Sequence, residues 1–125
     1  STEPDKVVYG LKEVENAVQS GKVRLILFSE VLDIFMVKVK CGRCDYEAVE
    51  QHPFQELITL PAKISSTSCP KCGSTSLYVA VKESLLDRFI ETASQKNVQL
   101  ELISTATEEG VMLYKGFGGV VGILK

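Results

Sequence analysis

Two short pairs of cysteines constrain the fold of this chain more than any other feature of its sequence. They contain all four cysteines, as C-G-R-C at residues 41–44 and C-P-K-C at residues 69–72. Two thiolates separated by two residues can bind one metal ion, and two such pairs complete the tetrahedral shell that zinc prefers. The pattern C-x2-C-x24-C-x2-C therefore predicts a structural Zn2+ site with four ligands, Cys41, Cys44, Cys69 and Cys72.

Other interpretations of the cysteines are weaker. Four free or disulfide-bonded thiols fit the ribbon-like spacing less well, and a redox-active C-x-x-C leaves the second pair without a purpose. A shell of four thiolates has no open coordination position, so we expect a structural role and not a catalytic one. His52, the one histidine of the sequence, lies between the two pairs. An alternative ligand or a polar contact to the site is the less favoured interpretation of His52. We expect a surface or loop residue there, because the cysteines already fill the shell.

The cysteines belong to a segment, residues 41–77, that we expect to form a small zinc-ribbon-like insert. This segment has few large apolar residues and therefore too little core of its own, so a metal cross-link would supply the missing stability. Residues 1–40 and 78–125 flank the insert, and we expect them to form one domain that it interrupts. A chain of 125 residues is long enough for such a domain.

The flanking segments alternate between helical and extended patterns. The predicted elements are helices over residues 11–20, 82–95 and 105–115, and strands over residues 23–28, 34–40, 98–102 and 120–124. Helices that alternate with strands are typical of layered α/β domains. The order predicts an α/β fold, an α-β-α sandwich in which helices cover both faces of a mixed sheet.

Composition and charge argue against several functions. The net charge is −2, so the chain lacks the basic excess that strong nucleic-acid binding requires. Residues 1–5 are polar and acidic and show no signal-peptide pattern, and no apolar run is long enough to cross a bilayer. Paired cysteines fit a metal site in a reducing compartment. We therefore expect a cytoplasmic protein that binds neither membranes nor, with any strength, nucleic acid.

The sequence shows no set of residues suited to catalysis. The single histidine forms no recognisable Ser/His/Asp or Cys/His set with the rest of the sequence. The G-F-G-G stretch at residues 116–119 lacks the Lys-Ser/Thr of a P-loop and the third glycine of a dinucleotide-binding loop. We expect a protein-binding or assembly role and no enzymatic activity. A small metalloenzyme is an alternative, and it would need an open coordination site on the metal.

Motifs near both ends of the chain resemble one known domain. Y-G-L-K-E-V at residues 9–14 and L-I-L-F-S-E at 25–30 resemble the start of the third, C-terminal domain of archaeal and eukaryotic class-one peptide chain release factors, and of their relative Pelota. T-E-E-G at 107–110, K-G-F-G-G at 115–119 and G-I-L-K at 122–125 resemble its end. Archaeal release factors also resemble this chain in having paired cysteines in a small insert, which Pelota lacks. The resemblance indicates an archaeal class-one release factor.

The resemblance implies a role in translation termination. This family reads stop codons with its first domain and triggers peptidyl-tRNA hydrolysis with a Gly-Gly-Gln loop in its second, and the present sequence contains neither. The resemblance implies that the third domain docks a translational GTPase, which in archaea would be of the elongation factor 1-alpha type. It also implies that the recycling ATPase binds the same region. By the same resemblance, we expect this domain to reach the ribosome as part of the full-length protein.

The resemblance also suggests a partner-binding segment. The family's G-I-L-R-Y segment contributes to GTPase docking and corresponds to Gly122, Ile123 and Leu124, with Lys125 in place of the arginine. For Ile123 and Leu124, a place in a core strand is an equal alternative. In the favoured interpretation, the metal keeps the insert in shape so that it can contact a partner or the ribosome.

Two other functions stay open. Related sandwich folds bind kinked RNA, although the near-neutral charge and the lack of a basic aromatic strip argue against an RNA-binding domain here. A domain of a Pelota-type ribosome rescue factor is the other alternative, and the cysteine insert argues against it.

Overall fold

The computed structural model describes residues 6–125, and within that range the strands form two sheets. The polar start at residues 1–5, on which the absence of a signal peptide was argued, lies outside the described residues. In chain order the elements are β1 (Val7–Tyr9), α1 (Leu11–Gln19), β2 (Val23–Ser29), β3 (Ile34–Cys41), β4 (Glu47–Pro53), a 3-10 helix (Phe54–Ile58), α2 (Leu60–Ser65), β5 (Leu77–Ser84), α3 (Leu85–Lys96), β6 (Gln99–Ile103), α4 (Glu108–Phe117) and β7 (Val120–Leu124). Contacts among these elements divide the chain into two compact units.

The first unit contains the described residues up to Leu32 together with Leu86–Lys125. Its sheet has the strand order β1-β7-β2-β6. Strand β2 pairs in parallel with β6 and antiparallel with β7, so the sheet is mixed. The continuous apolar run of β2 fits its position inside the sheet, where both faces are covered. The prediction of an α/β fold with a mixed sheet is therefore confirmed.

Helices α1 and α3 pack on one face of this sheet. Val14 of α1 and Phe28 of β2 are fully buried. Phe89 of α3 packs on Phe28, with ring centroids 5.6 Å apart. Arg88 connects the two helices through an ion pair with Glu15 at 3.0 Å. Burying each of these large apolar side chains stabilises the fold by about 1.5–3 kcal/mol, so this side of the sheet holds much of the core.

Helix α4 packs on the opposite face of the same sheet. The Thr107 side chain caps its start by accepting the N–H of Gly110 at 3.0 Å. The helix ends at Gly118, whose φ of 75° is a left-handed conformation that glycine adopts readily. Helices on both faces complete the predicted sandwich. Among residues 6–125, no helix combines the length and the apolar character needed to cross a membrane.

The second unit, Asp33–Leu85, contains all four cysteines. Its strands form an antiparallel sheet with the order β4-β3-β5. The central strand alternates between buried valines and half-buried lysines, Val37, Lys38, Val39 and Lys40. One face of this sheet therefore carries a small core, to which α2 contributes Leu60 and Ile64.

The boundaries of the second unit differ from those expected. The expected insert is residues 41–77, with residues 34–40 in the outer domain, whereas the contacts delimit a unit of Asp33–Leu85. The physical reason is that β3 pairs with β5 from Phe35 to Cys41, so both strands belong to the sheet that carries the cysteines. The helix predicted over residues 82–95 begins only at Leu85 because the three preceding residues complete β5.

Candidate metal centre

The two cysteine pairs lie on two loops of the second unit. The first pair ends β3 and begins the turn toward β4, and the second pair lies between α2 and β5. In the second loop the Gly73 N–H donates to the Cys69 carbonyl, and the Cys69 N–H donates to the Ser74 carbonyl, both at 2.8 Å. The Gly42 N–H of the first loop donates to the Ser76 carbonyl at 2.9 Å. Backbone hydrogen bonds thus close the second loop and join it to the first.

The four sulfur atoms form one cluster. All four Sγ atoms lie within 4.8 Å of one another. Cys41 Sγ is 3.7 Å from Cys72 Sγ, and Cys44 Sγ is 3.6 Å from Cys69 Sγ. Sulfurs bound to zinc at about 2.3 Å form a tetrahedron with edges of roughly 3.8 Å, so these separations fit an ion at the centre. A disulfide needs about 2.05 Å, and the cysteines are free thiols.

Backbone N–H groups point at three of the sulfurs. Arg43, Tyr46 and Lys71 each donate to the cysteine two residues earlier, at 3.3, 3.4 and 3.4 Å. A hydrogen bond to sulfur stabilises the negative thiolate relative to the neutral thiol. Both loops therefore have a backbone conformation that favours the form of cysteine that binds metal.

The Ser74 hydroxyl contacts the fourth sulfur, that of Cys72. It lies 3.2 Å from Cys72 Sγ and 3.7 Å from Cys41 Sγ. This contact is the main reason that the pKa of Cys72 is below the ordinary value for a thiol. Cys72 is also the exposed member of the cluster.

The thiols differ in acidity. The Arg43 N–H, helped by the Ser74 hydroxyl and opposed by burial, lowers the pKa of Cys41 to about 6. At Cys44 the Tyr46 N–H lowers the pKa, but burial and the neighbouring cysteines together raise it to about 12. Four thiolates this close repel one another, so the fully ionised set needs a cation among them. The donor set fits a metal ion held by four sulfurs, with no open position.

An ion pair also connects the loops. Lys71 Nζ donates to Asp45 Oδ1, which lowers the pKa of Asp45 and raises that of Lys71. Both side chains are exposed. Solvent therefore screens the pair, and it contributes little to holding the loops together.

His52 does not belong to the cysteine cluster. It lies on β4, with Nε2 2.7 Å from Glu50 Oε1 and Nδ1 2.7 Å from Glu56 Oε2. Glu50 first, and then Glu56, raise the pKa of His52 against the effect of burial. Its side chain is only 19% exposed. The structure thus places in a strand a histidine that was expected in a loop or at the surface, and the two flanking glutamates were the available signal.

The expected partner-binding segment, Gly122, Ile123 and Leu124, lies in β7 between β1 and β2. A Cβ on Gly122 would come within 3.2 Å of the side chains of Val8 and Val23, so the glycine permits close packing inside the sandwich. Because side chains alternate along a strand, Ile123 lies on the opposite face, where α4 packs, and it is half-buried.

An apolar groove beside α4 went unrecognised in the sequence. Its volume is about 400 Å³, and it is lined by Val7, Leu27, Glu108, Glu109, Met112, Leu113, Phe117 and Val121. Met112 is 59% exposed and Val7 is 46% exposed. The available signal was the sequence of α4, E-E-G-V-M-L-Y-K-G-F, which carries more apolar residues than one buried face requires.

Comparison with known sequences gives consistent matches. The model of the family described as eRF1 domain 3 matches residues 1–125. Peptide chain release factor subunit 1 of Thermococcus onnurineus is 36% identical over 119 residues, which are 95% of this chain and 28% of that protein. The protein of the same name from Methanococcoides burtonii is 39% identical over 122 residues, 96% of this chain and 28% of that protein. The chain thus spans 28% of the length of these curated relatives.

A solved structure is similar in both sequence and fold. It is the C-terminal domain of a peptide chain release factor from Methanosarcina mazei, with a TM-score of 0.78 and 34% identity. The alignment covers 96% of this chain and 70% of that chain. The similarity therefore extends over both units described above.

Proposed function

Because the chain belongs to the eRF1 domain 3 family, we propose that it is the partner-binding domain of an archaeal peptide chain release factor and acts in translation termination. Family membership and the archaeal relatives support this role. In the proposal, stop-codon reading and peptidyl-tRNA hydrolysis belong to other domains, and this chain has no catalytic part. It acts in the cytoplasm, and it meets the ribosome as part of the full-length factor.

The apolar groove is the observation that carries the docking proposal. The groove runs beside helix α4, on the face of the sheet that α4 covers. Apolar side chains on both sides of the groove stay exposed, Val7 on β1 and Met112 on α4. Glu108 and Glu109, in the first turn of α4, give the groove an acidic end. An apolar centre with a charged rim is typical of specific protein interfaces. The proposed occupant is the translational GTPase of the elongation factor 1-alpha type, and the recycling ATPase would bind the same region.

Ile123 connects the groove with the partner-binding segment expected from the sequence. It pairs with Val7 across β7 and β1 and shares its face of the sheet. Gly122 and Leu124 alternate to the other face. The proposal therefore makes Ile123 a contact residue and gives Gly122 and Leu124 a supporting role in packing.

We also propose that Zn2+, bound by Cys41, Cys44, Cys69 and Cys72, is the structural cofactor of the second unit. The sulfur separations of 3.6 and 3.7 Å support this, since they match the edge of a four-thiolate zinc site. When bound, zinc would supply a cross-link between the two loops. A unit with so small a core depends on such a cross-link for its stability.

Isothermal titration with a purified archaeal GTPase of this type, bound to GTP, tests the docking proposal. Met112→Asp puts a charge into the groove and is expected to weaken binding by about 10-fold or more. Ile90→Asp is the matched control, because Ile90 is 47% exposed on α3, on the other side of the sheet. We expect it to leave the affinity unchanged.

Two results would contradict this proposal. Equal losses for the two variants would refute the groove as the docking site. A parent chain that does not bind the GTPase would refute the choice of partner. Salt-dependent RNA binding by that same chain would then favour the RNA-binding alternative.

A further inference from the structure

Cys72 differs from the other three cysteines in its exposure. Cys41 and Cys69 are buried and Cys44 is half-buried, whereas Cys72 is exposed. An exposed thiolate is open to protons, oxidants and competing chelators. Loss of a bound metal ion would therefore begin at Cys72, unless its surroundings hold that sulfur in place.

Ser74 is the side chain placed to hold it. Its hydroxyl oxygen lies 3.2 Å from Cys72 Sγ and 3.7 Å from Cys41 Sγ, so it contacts one sulfur of each pair. A metal-bound thiolate has no proton, so the hydroxyl must be the donor, and its single hydrogen is best placed for Cys72, the nearer sulfur. Ser74 is half-buried, and its carbonyl accepts the Cys69 N–H at 2.8 Å. The backbone therefore fixes the position from which the hydroxyl reaches the sulfurs.

The hydrogen bonds to the other sulfurs come from a different source. Arg43, Tyr46 and Lys71 donate through backbone N–H groups, which remain when the side chain is changed. At Cys72 the contact comes from a side chain, the Ser74 hydroxyl at 3.2 Å. Side-chain identity therefore matters most at residue 74.

We propose that Ser74 is a positioning residue of the metal centre, whose hydroxyl holds the exposed Cys72 thiolate on the ion. The proposal rests on the metal site proposed above and adds to it the residue that controls release. Outer-shell hydrogen-bond partners of metal ligands typically change metal affinity by about 10–100-fold. An effect in that range is expected here, on one ligand and not on all four.

Zinc release from the loaded chain tests the proposal, with Ser74→Ala as the main variant. Ser76→Ala is the matched control. It makes the same change in the same loop, and Ser76 contacts the first loop through its carbonyl, which alanine keeps. We expect transfer of zinc to a chromophoric chelator to be about 10-fold faster in Ser74→Ala and unchanged in Ser76→Ala. Ser74→Thr, which retains a hydroxyl, should restore slow release.

Two further readouts separate a specific role from general destabilisation. Alkylation followed by mass spectrometry should modify Cys72 first in Ser74→Ala. In the cobalt-substituted chain, loss of a hydrogen bond to a ligand makes that sulfur a stronger donor. The sulfur-to-cobalt charge-transfer band should therefore move to lower energy in Ser74→Ala, and it should not move in Ser76→Ala.

The outcomes are distinct. Failure of Ser74→Ala to retain zinc, with Ser74→Thr and Ser76→Ala loaded normally, counts in favour of the proposal. A release rate for Ser74→Ala within about twofold of the parent, well below the expected range, overturns it, and so does alkylation spread evenly over the four cysteines. A parent chain that binds no metal refutes the metal site itself, and the role of Ser74 with it.

Discussion

Gly110 lies so close to the carbonyl oxygen of Ser104 that no side chain fits between them. Gly110 is the third residue of α4, and its N–H donates to the capping side chain of Thr107. Ser104 belongs to the segment that leaves β6. The glycine weakens the helix by its low propensity, but the close approach of these two chain segments requires it.

Replacing Gly110 by alanine is therefore expected to destabilise the chain by about 2–3 kcal/mol, because the new Cβ would overlap backbone that cannot move freely. Gly116→Ala is the control in the same helix. There the new Cβ would meet only the flexible side chain of Met112, at 3.2 Å, and the gain in helix propensity offsets the contact to within about 1 kcal/mol. Urea unfolding of both variants measures the difference. Equal losses of stability in the two variants would show that the close approach to Ser104 is not the reason for the glycine at position 110.

The core of the first unit should be most sensitive at the contact between α3 and β2. Phe89 is 2% exposed, and Phe28, on which it packs, is fully buried. Phe89→Ala is expected to cost about 3–5 kcal/mol, because it leaves a cavity beside Phe28. Ile90→Ala, one residue further along the same helix and 47% exposed, should cost less than about 1 kcal/mol. Thermal unfolding of the two variants measures both losses of stability. Similar losses for Phe89→Ala and Ile90→Ala would contradict the placement of Phe89 in the core.

Protonation of His52 should stabilise the second unit. Its folded-state pKa is raised by Glu50 and Glu56, so the two contacts contribute fully below the unfolded-state pKa of about 6.5. The contribution is lost as the pH rises through the higher folded-state pKa. Because the sequence has one histidine, its ring signals in an NMR titration are unambiguous, and they should titrate above 6.5.

Glu56→Gln is the matched variant for this titration. It keeps the size of the side chain but removes one of the two carboxylates at the imidazole. The pKa of His52 should fall toward its ordinary value. The melting temperature of the variant should also depend less on pH above neutrality. A His52 that titrates identically in the two proteins would contradict the geometry described for β4.

Removal of the metal should unfold the second unit and leave the first. The core of the second unit is small and includes Cys41 and Cys69 themselves, so loss of the cross-link exposes it to water. The first unit has its own buried core around Val14 and Phe28. Hydrogen exchange with and without a chelator should show protection lost across residues 33–85 and kept in β2. Re-addition of zinc should restore the protection of residues 33–85. Uniform loss of protection over both units would contradict the expectation that each unit has its own stability.

The two strands before the first cysteine pair show how far the sequence predicts the fold. The strand predicted over residues 23–28 is present as β2, and its continuous apolar run is typical of the position that it has inside the mixed sheet. The strand predicted over residues 34–40 is present as β3, and its alternating end has the burial pattern of a strand with one buried face. Which sheet it joins depends on β5, its distant partner in the chain, and no local pattern encodes that pairing. The expected boundaries of the insert, residues 41 and 77, therefore lie inside the second unit.

The candidate sites also differ in how far the sequence predicts them. Short C-x2-C spacings are local constraints, and the structure brings together the four cysteines that they identified. The apolar groove depends on which side of α4 meets the sheet, which is a tertiary relationship. The contacts of His52 depend on the turn from β4 into the 3-10 helix, which brings Glu56 back to the ring. Neither could be inferred from periodicity alone.

The second unit is one continuous stretch of chain, Asp33–Leu85, whereas the first is completed only when β7 enters between β1 and β2. During synthesis, at about 5–20 residues per second, every strand of the second unit exists before residues 86–125 are made. The second unit can then fold while the first still lacks β6 and β7. The unit that the ribosome begins second is therefore the one that the chain can finish first.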